Sequence, residues 1–452
     1  MRICLKLYDK MKRLMGHDSL RDLCSYCRFV RKNNNTITET KKQGSTDKKA
    51  GEAMPLSVVW YGGNLNQNGM TTSLINLIAH LPVGKYQHII LYDAAKVADI
   101  QKLYQLFPKG TKLQAFSGIR PLPAEIWNRF LYYGLGIRTK KIRQSMDIMF
   151  SRNAKEYFDT AENTCLIQFT GYDRDVIGLF ANAQADRGRM IFVHNDKAAE
   201  TIGKKGEDGK FLAEYLPRFD KVIPVTADIE QGIFALSVNP GQCAVVNNYH
   251  DDIRVKERSM EPVAYQETTK ATHTVKELEQ ILENKEDKFI TIGRYVPQKG
   301  HMMLLEAFAA YQSENPTTWL IIIGGYGTLY EDTLQKAKKL GIADRVVLIQ
   351  HMENPMPVLS KCQLFILSSL YEGQGLVLLE ADSLHIPVIS TDIPGPRGFM
   401  KQYHGTLVRP DKDGILEGMR AYQKGLVHTL NIDYTAYNVR CIAAMTELLD
   451  GK

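Results

Sequence analysis

The chain has 452 residues, of which 44% are hydrophobic and 24% charged, and its formal net charge is +7. A chain of this length is expected to form two domains of ordinary size with appended segments. The basic charge is confined to the start, because residues 1–50 hold 13 Lys and Arg against 5 Asp and Glu, whereas the remainder holds 44 against 45. The folded body is therefore close to neutral, which argues against nucleic acid as a partner.

Residues 1–52 are predicted to form a basic amphipathic arm followed by a linker. Apolar and basic residues recur there at helical spacing, namely Cys4, Leu7, Tyr8, Met11, Leu14 and Met15 with Lys6, Lys10, Lys12 and Arg13. This pattern suits a helix that places residues 1–32 on an anionic membrane, and it equally suits a helix that docks on its own domain. Residues 33–52 are polar and lack aromatic side chains, which is typical of a flexible linker.

The sequence also bears on compartment and metal binding. It has no apolar run near the roughly 20 residues that a spanning helix needs, and no signal-peptide core follows the first basic residues. We therefore expect a cytoplasmic protein, with the arm as a possible contact to the inner face of the plasma membrane.

Seven cysteines do not indicate a disulfide framework. Cys24 and Cys27 form one C-x-x-C pair with only His17 nearby, so we expect no bound metal.

From Leu56 onward, short β-branched runs alternate with helical patterns. The runs are LSVVW, QHIILY, KLQAF, TCLIQF, MIFVH, KVIPVT and CAVVNN, then FITIG, WLIIIGG, RVVLIQ, LFILSS and PVIST. This repetition predicts an α/β protein with two doubly wound parallel sheets, one in residues 55–250 and one in residues 288–452. The charged residues 251–287 are expected to join the two domains, and the final amphipathic stretch, 434–449, to pack back on one of them.

Two glycine-rich or polar turns stand out in the first domain. Gly63 and Gly69 lie in a loop between the first predicted strand and a helix, where a backbone can approach a phosphate or a sugar ring, although the loop matches neither a P-loop nor a G-x-G-x-x-G fingerprint. Asp173-Arg174-Asp175 resembles a D-x-D metal site, but its position after a Gly-Tyr turn predicts a helix cap instead.

His194 ends the run MIFVH, at the carboxyl edge of the first predicted sheet. A histidine at this place can donate to a sugar hydroxyl or hold positive charge near a reacting carbon. A purely structural role is the alternative.

The second domain opens with two cations around a turn. Gly293 and Arg294 end the run FITIG, and Lys299 with Gly300 follows five residues later at the start of a helix. An arginine fork and a lysine point charge at such a turn suit a diphosphate, and solvated loop residues are the alternative.

The stretch YEGQGLVLLE, residues 371–380, carries the most information. It places Glu372 and Glu380 eight residues apart around a loop in which Gly375 permits a close approach to a ligand before Leu376 begins a helix. The free amides at the helix start can face a phosphate. Because an unpaired charge on an apolar helix is costly to bury, Glu380 is expected to accept hydrogen bonds from a sugar or ribose.

Taken in chain order, these features resemble the retaining family 4 glycosyltransferases of the GT-B fold. They are the glycine loop, His194, the turn with Arg294 and Lys299, the stretch IIGGYGTLYEDTL and the paired glutamates. The likeness runs from about Leu56 to the end. GGNLNQNGMTTSLINLI and EGQGLVLLEADSLHIPVISTDIPGPRGFM resemble more narrowly bacterial enzymes that act on wall or capsular polymers.

The resemblance implies a role for each matched position. It places Arg294 and Lys299 on the donor diphosphate, Glu380 on the ribose and His194 on the transferred sugar. Glu372 and the backbone of Gln374, Gly375 and Leu376 would contact the sugar and phosphate. Gly63, Gly69 and Gly293 would lie along the donor. Such enzymes need no bound metal or other cofactor. Gln374 departs from the family, because an aromatic residue is usual between the two glycines.

The function that the resemblance implies is transfer of a sugar, with retention, from a nucleotide-diphosphate sugar such as a UDP-hexose. The acceptor would be a hydroxyl of a cell-envelope polysaccharide or teichoic-type polymer. Two alternatives remain open from the sequence: a non-catalytic glycan-binding relative that supports a partner transferase, and a sugar-nucleotide epimerase of the same architecture. An epimerase would act on donor alone, without an acceptor.

Overall fold

A computed structural model describes residues 55–65, 69–97, 104–158, 163–170, 173–195, 207–325 and 327–451. The predicted arm and linker, with Cys24, Cys27 and His17, lie outside the described residues. The described residues divide into two compact units, residues 119–156 and residues 55–118 with 157–451.

The larger unit contains two parallel sheets of six strands. The first is built from β1 Leu56–Gly63, β2 Tyr86–Asp93, β3 Lys112–Phe116, β4 Thr164–Gln168, β5 Arg189–Val193 and β6 Lys221–Pro224, in the order β3-β2-β1-β4-β5-β6. The second is built from β7 Lys288–Ile292, β8 Trp319–Ile323, β9 Val346–Ile349, β10 Leu364–Leu367, β11 Val388–Thr391 and β12 Thr406–Val408, in the order β12-β11-β10-β7-β8-β9. The predicted pair of doubly wound α/β domains is confirmed.

Both sheets have the doubly wound order 3-2-1-4-5-6 when their strands are counted from β1 and from β7. The order reverses between β1 and β4 in one sheet and between β7 and β10 in the other. Open α/β sheets bind ligands outside the carboxyl ends of the strands at this reversal. The topology therefore directs attention to the loops after β7 and β10.

Helices connect the strands of the larger unit. They are α1 Gly69–His80, α4 Arg174–Ala181, α5 Glu207–Tyr215, α6 Glu230–Phe234, α7 Asp252–Ser259, α8 Val275–Glu283, α9 His301–Glu314, α10 Tyr330–Lys339, α11 Met356–Leu359, α12 Leu376–Ser383, α13 Pro396–Gln402, α14 Lys412–Gln423 and α15 Tyr434–Asp450. The smaller unit supplies α2 Pro123–Gly134, and α3 Lys140–Tyr157 begins in it.

Helix starts follow local capping chemistry. Asp173 caps α4 as predicted, because its Oδ1 accepts hydrogen bonds from the amides of Asp175 and Val176 at 2.9 and 3.3 Å. At α8, the Thr274 hydroxyl accepts from the Glu277 amide, while the Glu277 carboxylate accepts from the Thr274 amide at 2.7 Å. Such reciprocal capping satisfies two amides that the helix itself leaves unpaired.

The strand predicted for CAVVNN is wrong. Cys243 forms only an isolated bridge with Val222, and the amides of Ala244 and Val246 donate to the carbonyls of Val222 and Pro224. Pro224 has no amide hydrogen to return, so a regular ladder cannot form along this edge of β6. Strand β12 was not predicted, because its three half-buried residues give too short a pattern.

Residues 251–287, which were expected to join the domains, contribute to the core of the second sheet. Leu278, Ile281 and Leu282 of α8 are buried in the same apolar cluster as residues of β7, β8 and β10. The amide of Thr272 also donates to the carbonyl of Leu348 in β9. This segment therefore packs with the second sheet along much of its length.

Helix α15 covers the stretch 434–449 that was expected to pack back on one of the domains, and it contacts both sheets. Tyr434 and Tyr437 belong to the apolar core beside the second sheet. At the other end of the helix, the Asp450 carboxylate pairs with Lys85 at 2.8 Å and accepts from the Tyr86 hydroxyl at 3.2 Å. The last helix thus ties the two sheets of the larger unit together.

In the part of the chain that the structure describes, no helix combines the length and apolar character required to cross a bilayer.

Candidate active site

The candidate site lies where the strand order of the second sheet reverses. Strand β7 ends at Ile292 and is followed by the turn 293–300, while β10 ends at Leu367 and is followed by the loop 368–375. The two loops are joined by the hydroxyl of Ser368, which donates to the carbonyl of Lys299 at 2.8 Å. Both loops that sequence analysis selected are therefore adjacent.

Lys299 and Glu372 form an ion pair across these loops. Their side chains are 16% and 12% exposed, so the pair is largely shielded but open on one side. The same carboxylate oxygen accepts from the Ser369 hydroxyl at 2.9 Å. The pair places a cation and a carboxylate, both predicted to act on the donor, in direct contact.

Gly293 provides the space for the lysine stem. A Cβ at position 293 would lie 3.0 Å from Cδ and 3.1 Å from Cε of Lys299, closer than side chains normally approach. Gly300 has a φ of +67°, and a Cβ there would overlap the carbonyl oxygen of Ser368. The geometry of this turn therefore requires glycine at position 300, whereas a side chain at position 293 would only displace the Lys299 stem by a few tenths of an ångström.

Arg294 is exposed, and within the described residues its guanidinium makes no hydrogen bond or ion pair. Its stem passes beside Gly325, where a Cβ would lie 3.7 Å from Cγ of Arg294. A cation in this position keeps its donors for a ligand. The structure thus separates the two predicted cations into a paired lysine and an available arginine.

The start of α12 is open to a ligand. Gly375 adopts the left-handed conformation, with φ 74° and ψ 63°, and no side chain caps the helix. The first amides of a helix carry partial positive charge and lack intrahelical acceptors. Leu376 begins the helix as predicted, so the backbone of these two residues can receive phosphate oxygens.

Glu380 lies one turn into α12. Burial raises the pKa of this carboxyl from 4.5 to about 7, and the charge of Arg258 opposes the rise. Within the described residues its carboxylate accepts no hydrogen bond. A partly buried carboxyl without a protein partner suits paired hydroxyl donors such as those of a ribose.

The side chain of Gln374 is hydrogen-bonded to other residues of the protein through both of its amide atoms. The Oε1 atom accepts from the backbone and side-chain amides of Asn248 at 2.9 and 3.0 Å, and Nε2 donates to the Tyr437 hydroxyl at 2.5 Å. The Tyr437 hydroxyl in turn donates to the carbonyl of Asn248 at 2.8 Å. Only the backbone of Gln374 therefore remains for a donor, and its side chain positions the loop.

Sequence analysis missed Asn248, Tyr437 and Ser369. Ser369 carries a signal that could have been used, because it directly precedes the glutamate loop at a strand end. Asn248 and Tyr437 carry none, since they lie 126 and 63 residues from Gln374 and their contacts depend on tertiary packing.

The first domain meets the glutamate loop at its backbone. A Cβ on Gly373 would overlap the carbonyl oxygen of His194, and a Cβ on Gly69 would lie 3.3 Å from Cδ1 of Leu376. The glycine loop and the strand-end histidine therefore both lie against residues 373–376. Gly63 has a φ of +67° and lies against the hydroxyl of Thr170.

His194 is neutral. Burial lowers its pKa from 6.5 to about 4, and Nε2–H donates to the carbonyl of Phe169 at 2.8 Å. The rings of Phe169 and Phe192 lie 4.9 and 5.9 Å from the imidazole. The positive charge considered for this residue is thus absent at neutral pH, and its carbonyl group makes the contact with the donor loop.

A second set of contacts between the domains involves Asp228. Its carboxylate accepts a hydrogen bond from the Gly398 amide in α13. A cavity of about 190 Å³ adjoins this contact and is lined by Asn247, Tyr403, Tyr437 and Arg440 among others. None of the predicted donor residues lines this cavity, but Tyr437 borders both it and the Gln374 network.

Comparison with known proteins identifies the second domain. Residues 275–424 match the family model described as glycosyl transferases group 1. The chain is 27% identical over 186 residues to N-acetylgalactosamine-N,N'-diacetylbacillosaminyl-diphospho-undecaprenol 4-alpha-N-acetylgalactosaminyltransferase of Campylobacter jejuni, covering 40% of this chain and 44% of that protein. It is 31% identical over 113 residues to the capsular polysaccharide biosynthesis glycosyltransferase CapM of Staphylococcus aureus, covering 24% of this chain and 29% of that protein. The matches thus span less than half the length of these curated relatives.

Solved structures extend the likeness to the fold as a whole. The crystal structure of Anabaena HepE in complex with UDP and glucose superimposes with a TM-score of 0.63 at 14% identity, covering 88% of this chain and all of that chain. At such low identity the match concerns the fold. The segment 275–424 is therefore similar to the group 1 glycosyltransferases, and the two doubly wound sheets of the chain form a GT-B fold.

Proposed function

We propose that the protein is a retaining glycosyltransferase that moves a hexose from a UDP-sugar to a hydroxyl of a cell-envelope glycan. The observation that carries the proposal is the grouping of Lys299, Glu372 and the uncapped start of α12 where the strand order reverses. Arg294 adds an available cation beside them. This set supplies charge and amide donors for a diphosphate and acceptors for sugar hydroxyls.

The acceptor is proposed from the relatives. The Campylobacter protein is named for an acceptor linked to undecaprenol diphosphate, and the Staphylococcus protein for capsular polysaccharide. We infer that the acceptor here is also a saccharide of the envelope, carried on a lipid or a polymer. A teichoic-type polymer is the second proposed acceptor, because it also offers hydroxyl groups.

In the proposed reaction, the bond between the anomeric carbon and the β-phosphate oxygen breaks while the acceptor oxygen bonds to that carbon from the same face. The acceptor proton passes to the departing phosphate oxygen, and UDP leaves. Negative charge develops on this oxygen as the bond breaks. Arg294, Lys299 and the amides of Gly375 and Leu376 are the groups placed to neutralise that charge.

Glu372 and Lys299 have linked roles in this scheme. In the free protein each neutralises the other, which keeps a partly buried charge paired. A diphosphate would compete for the lysine, while the carboxylate would accept hydrogen bonds from the sugar. Ser369 holds the Glu372 carboxylate in place during this exchange.

A donor panel tests the proposal. The full chain is incubated with UDP-glucose, UDP-galactose and their N-acetylated forms, together with envelope glycan acceptors, and the products are measured by mass spectrometry and anomeric NMR. Arg294→Ala is expected to lower turnover about 100-fold, because loss of one charge-stabilising donor costs about 3 kcal/mol. Glu372→Ala should lower turnover comparably.

The surface pair Arg409 and Glu417 supplies matched controls, since these side chains are 60% and 65% exposed. Arg409→Ala and Glu417→Ala should retain wild-type turnover. Unchanged turnover in Arg294→Ala and Glu372→Ala would refute the site, and conversion of donor without acceptor would indicate an epimerase instead.

A further inference from the structure

The cavity beside Asp228 lies where residues that follow β6 meet α13 and α15. Its volume is about 190 Å³, which corresponds to the liquid volume of roughly six waters. An apolar cavity of about 150 Å³ is enough to hold a benzene ring. The space therefore suits one six-membered ring better than a single structural water.

The cavity has a buried end and an open end. Thr226, Phe399 and Tyr437 line it and are buried. Gln402 and Arg440 also line it and are exposed. A ligand can therefore enter from the side of these two residues and reach a shielded interior.

Polar atoms on the first-domain side have unused hydrogen-bonding capacity. Thr226 is 4% exposed, and its Oγ1 has no hydrogen-bond partner within the described residues. The Asp228 carboxylate accepts from the Gly398 amide through Oδ2. Asn247 donates through Nδ2 to the carbonyl of Val225 at 2.8 Å. The Oδ1 atoms of Asp228 and Asn247 thus remain as acceptors beside a buried hydroxyl, which is costly to leave unpaired.

The opposite side of the cavity combines a cation with aromatic rings. The Arg440 guanidinium donates to the Tyr403 hydroxyl at 3.2 Å, and it forms no ion pair with any described residue. The ring of Phe399 lies 5.0 Å from that of Tyr403 and 6.5 Å from that of Tyr437. Aromatic walls with a few placed polar groups are typical of sites for small molecules.

The charges of the lining select the class of ligand. Among the described residues, the lining contains one carboxylate, Asp228, and one guanidinium, Arg440. Asp228 would repel a phosphate, and a lone carboxylate beside an arginine does not supply the ligand set of a metal ion. A neutral sugar ring matches both groups, because its hydroxyls can donate to Asp228 and Asn247 and accept from Arg440 and Thr226.

Two contacts connect the cavity with the donor loop. The Tyr437 hydroxyl accepts from Nε2 of Gln374 at 2.5 Å. Helix α13, which lines the cavity with Phe399 and Gln402, starts after Gly395, where a Cβ would overlap the carbonyl oxygen of Gly373. A ligand held between the two sides of the cavity would therefore favour the arrangement that positions the donor loop.

We propose that this cavity binds one neutral sugar ring outside the donor site, and that its occupancy favours binding of the nucleotide. The ring is a free sugar or one unit of a glycan whose chain leaves through the open end, and both present the same hydroxyls. The coupling is reciprocal, because two sites that influence each other do so by the same factor. Sugar binding itself does not rest on the proposed transfer reaction, whereas the coupling rests on the donor site described above.

Saturation-transfer NMR of the full chain tests the binding. The probes are methyl α-D-glucoside and methyl α-D-galactoside, which carry no diphosphate and cannot act as donors. Both should receive saturation from the protein. Thr226→Val keeps the size of the side chain and removes the hydroxyl, so the affinity should fall about fivefold. Arg440→Ala changes an exposed side chain and should lower the affinity about tenfold.

Two further variants show which site holds the glycoside. Arg409→Ala is the matched control, because Arg409 is 60% exposed and lies outside the cavity lining, and it should bind as the wild type does. Glu372→Ala alters the donor site and should also leave glycoside binding unchanged. Absence of saturation transfer would overturn the proposal. Loss of binding in Glu372→Ala with full binding in Thr226→Val and Arg440→Ala would overturn it too, because the glycoside would then occupy the donor site.

Maltotriose distinguishes the two sources of the sugar. Tighter binding of maltotriose than of methyl α-D-glucoside, lost in Arg440→Ala, indicates a glycan that extends through the open end. Weaker binding of maltotriose indicates a free sugar.

Calorimetric titration with UDP tests the coupling. Saturating methyl glycoside should raise the affinity of the wild type for UDP about fivefold, and it should have no such effect in Arg440→Ala. Equal affinity with and without glycoside would overturn the link to the donor loop. Turnover is measured separately, so failure of the proposed transfer reaction leaves the result for glycoside binding intact.

Discussion

The side-chain oxygen of Gln374 accepts two hydrogen bonds from Asn248, at 2.9 Å from its backbone amide and at 3.0 Å from its side-chain amide. Asn248 follows the first sheet, whereas Gln374 belongs to the donor loop of the second. Both are buried, and Tyr437 closes the network by bonding to each. The position of the donor loop is therefore fixed by a polar junction between the domains.

Gln374→Leu should destabilise the protein by about 3 kcal/mol, because the backbone and side-chain amides of Asn248 lose their acceptor. The Tyr437 hydroxyl loses the hydrogen bond from Nε2 but keeps its own bond to the Asn248 carbonyl. The midpoint of denaturant unfolding measures the loss. Gln374→Glu retains an acceptor for Asn248 but buries a carboxylate and loses the Nε2 donor, so it should also destabilise the protein. Equal stability of Gln374→Leu and wild type would show that the junction is not formed in solution.

Gly373→Ala should impair donor binding, because the new methyl group would overlap the His194 carbonyl oxygen and force the loop away from the first domain. Overpacking of this kind typically costs about 1 to 3 kcal/mol. The expected result is a rise in KM for the UDP-sugar. Gly241→Ala is the matched control, since a Cβ there meets nothing within 4 Å, and it should leave KM unchanged.

How far the sequence predicts this structure depends on whether a feature is formed by residues close together or far apart in the chain. Buried parallel strands such as Leu320–Ile323 read as continuous β-branched runs, so both sheets are predictable. The turn glycines and the paired glutamates are local features and are also predictable. The Gln374 junction is not, because it joins residues far apart in the chain. The neutrality of His194 is not either, because it depends on burial against Phe169, which follows β4, and Phe192 of β5.

Binding of UDP-glucose should weaken at acid pH through Glu380. Its pKa in the free protein is about 7, so the carboxylate that accepts ribose hydroxyls is half protonated there and largely protonated at pH 6. If only the ionised form binds, affinity at pH 6 should be about tenfold lower than at pH 8. Calorimetric titration across this range measures the effect.

Glu380→Gln supplies the control for that titration. The amide cannot titrate, so the dependence of affinity on pH should flatten between pH 6 and pH 8, although affinity itself falls. The donor sugar is used in place of UDP because a free terminal phosphate titrates near pH 6. An identical pH profile in the variant would remove Glu380 from the ribose site.

Acid should unfold the protein through its buried histidines. Burial lowers the pKa of His88, His194 and His250 to about 4 and that of His301 to about 3, from 6.5. The unfolded chain therefore takes up protons near pH 6.5 while the folded protein does not, so stability is lost as pH falls from about 6.5 toward 4. Glu380 has the opposite effect on stability, because its pKa in the folded protein lies above the ordinary value of 4.5. It is one group, whereas four histidines favour unfolding in acid.

His301→Leu should isolate one of these contributions. Both ring nitrogens of His301 are buried without a hydrogen-bond partner among the described residues, beside Tyr295. Replacing it removes a group that must stay neutral in the folded state, so stability at pH 7 should change little while the loss toward pH 4 becomes smaller by about 1 kcal/mol or more. Denaturant unfolding at pH 7 and pH 5 measures this, with the exposed His428→Leu as control. An unchanged difference between the two pH values in His301→Leu would contradict the assignment, because a neutral buried imidazole cannot be removed without altering proton uptake on unfolding.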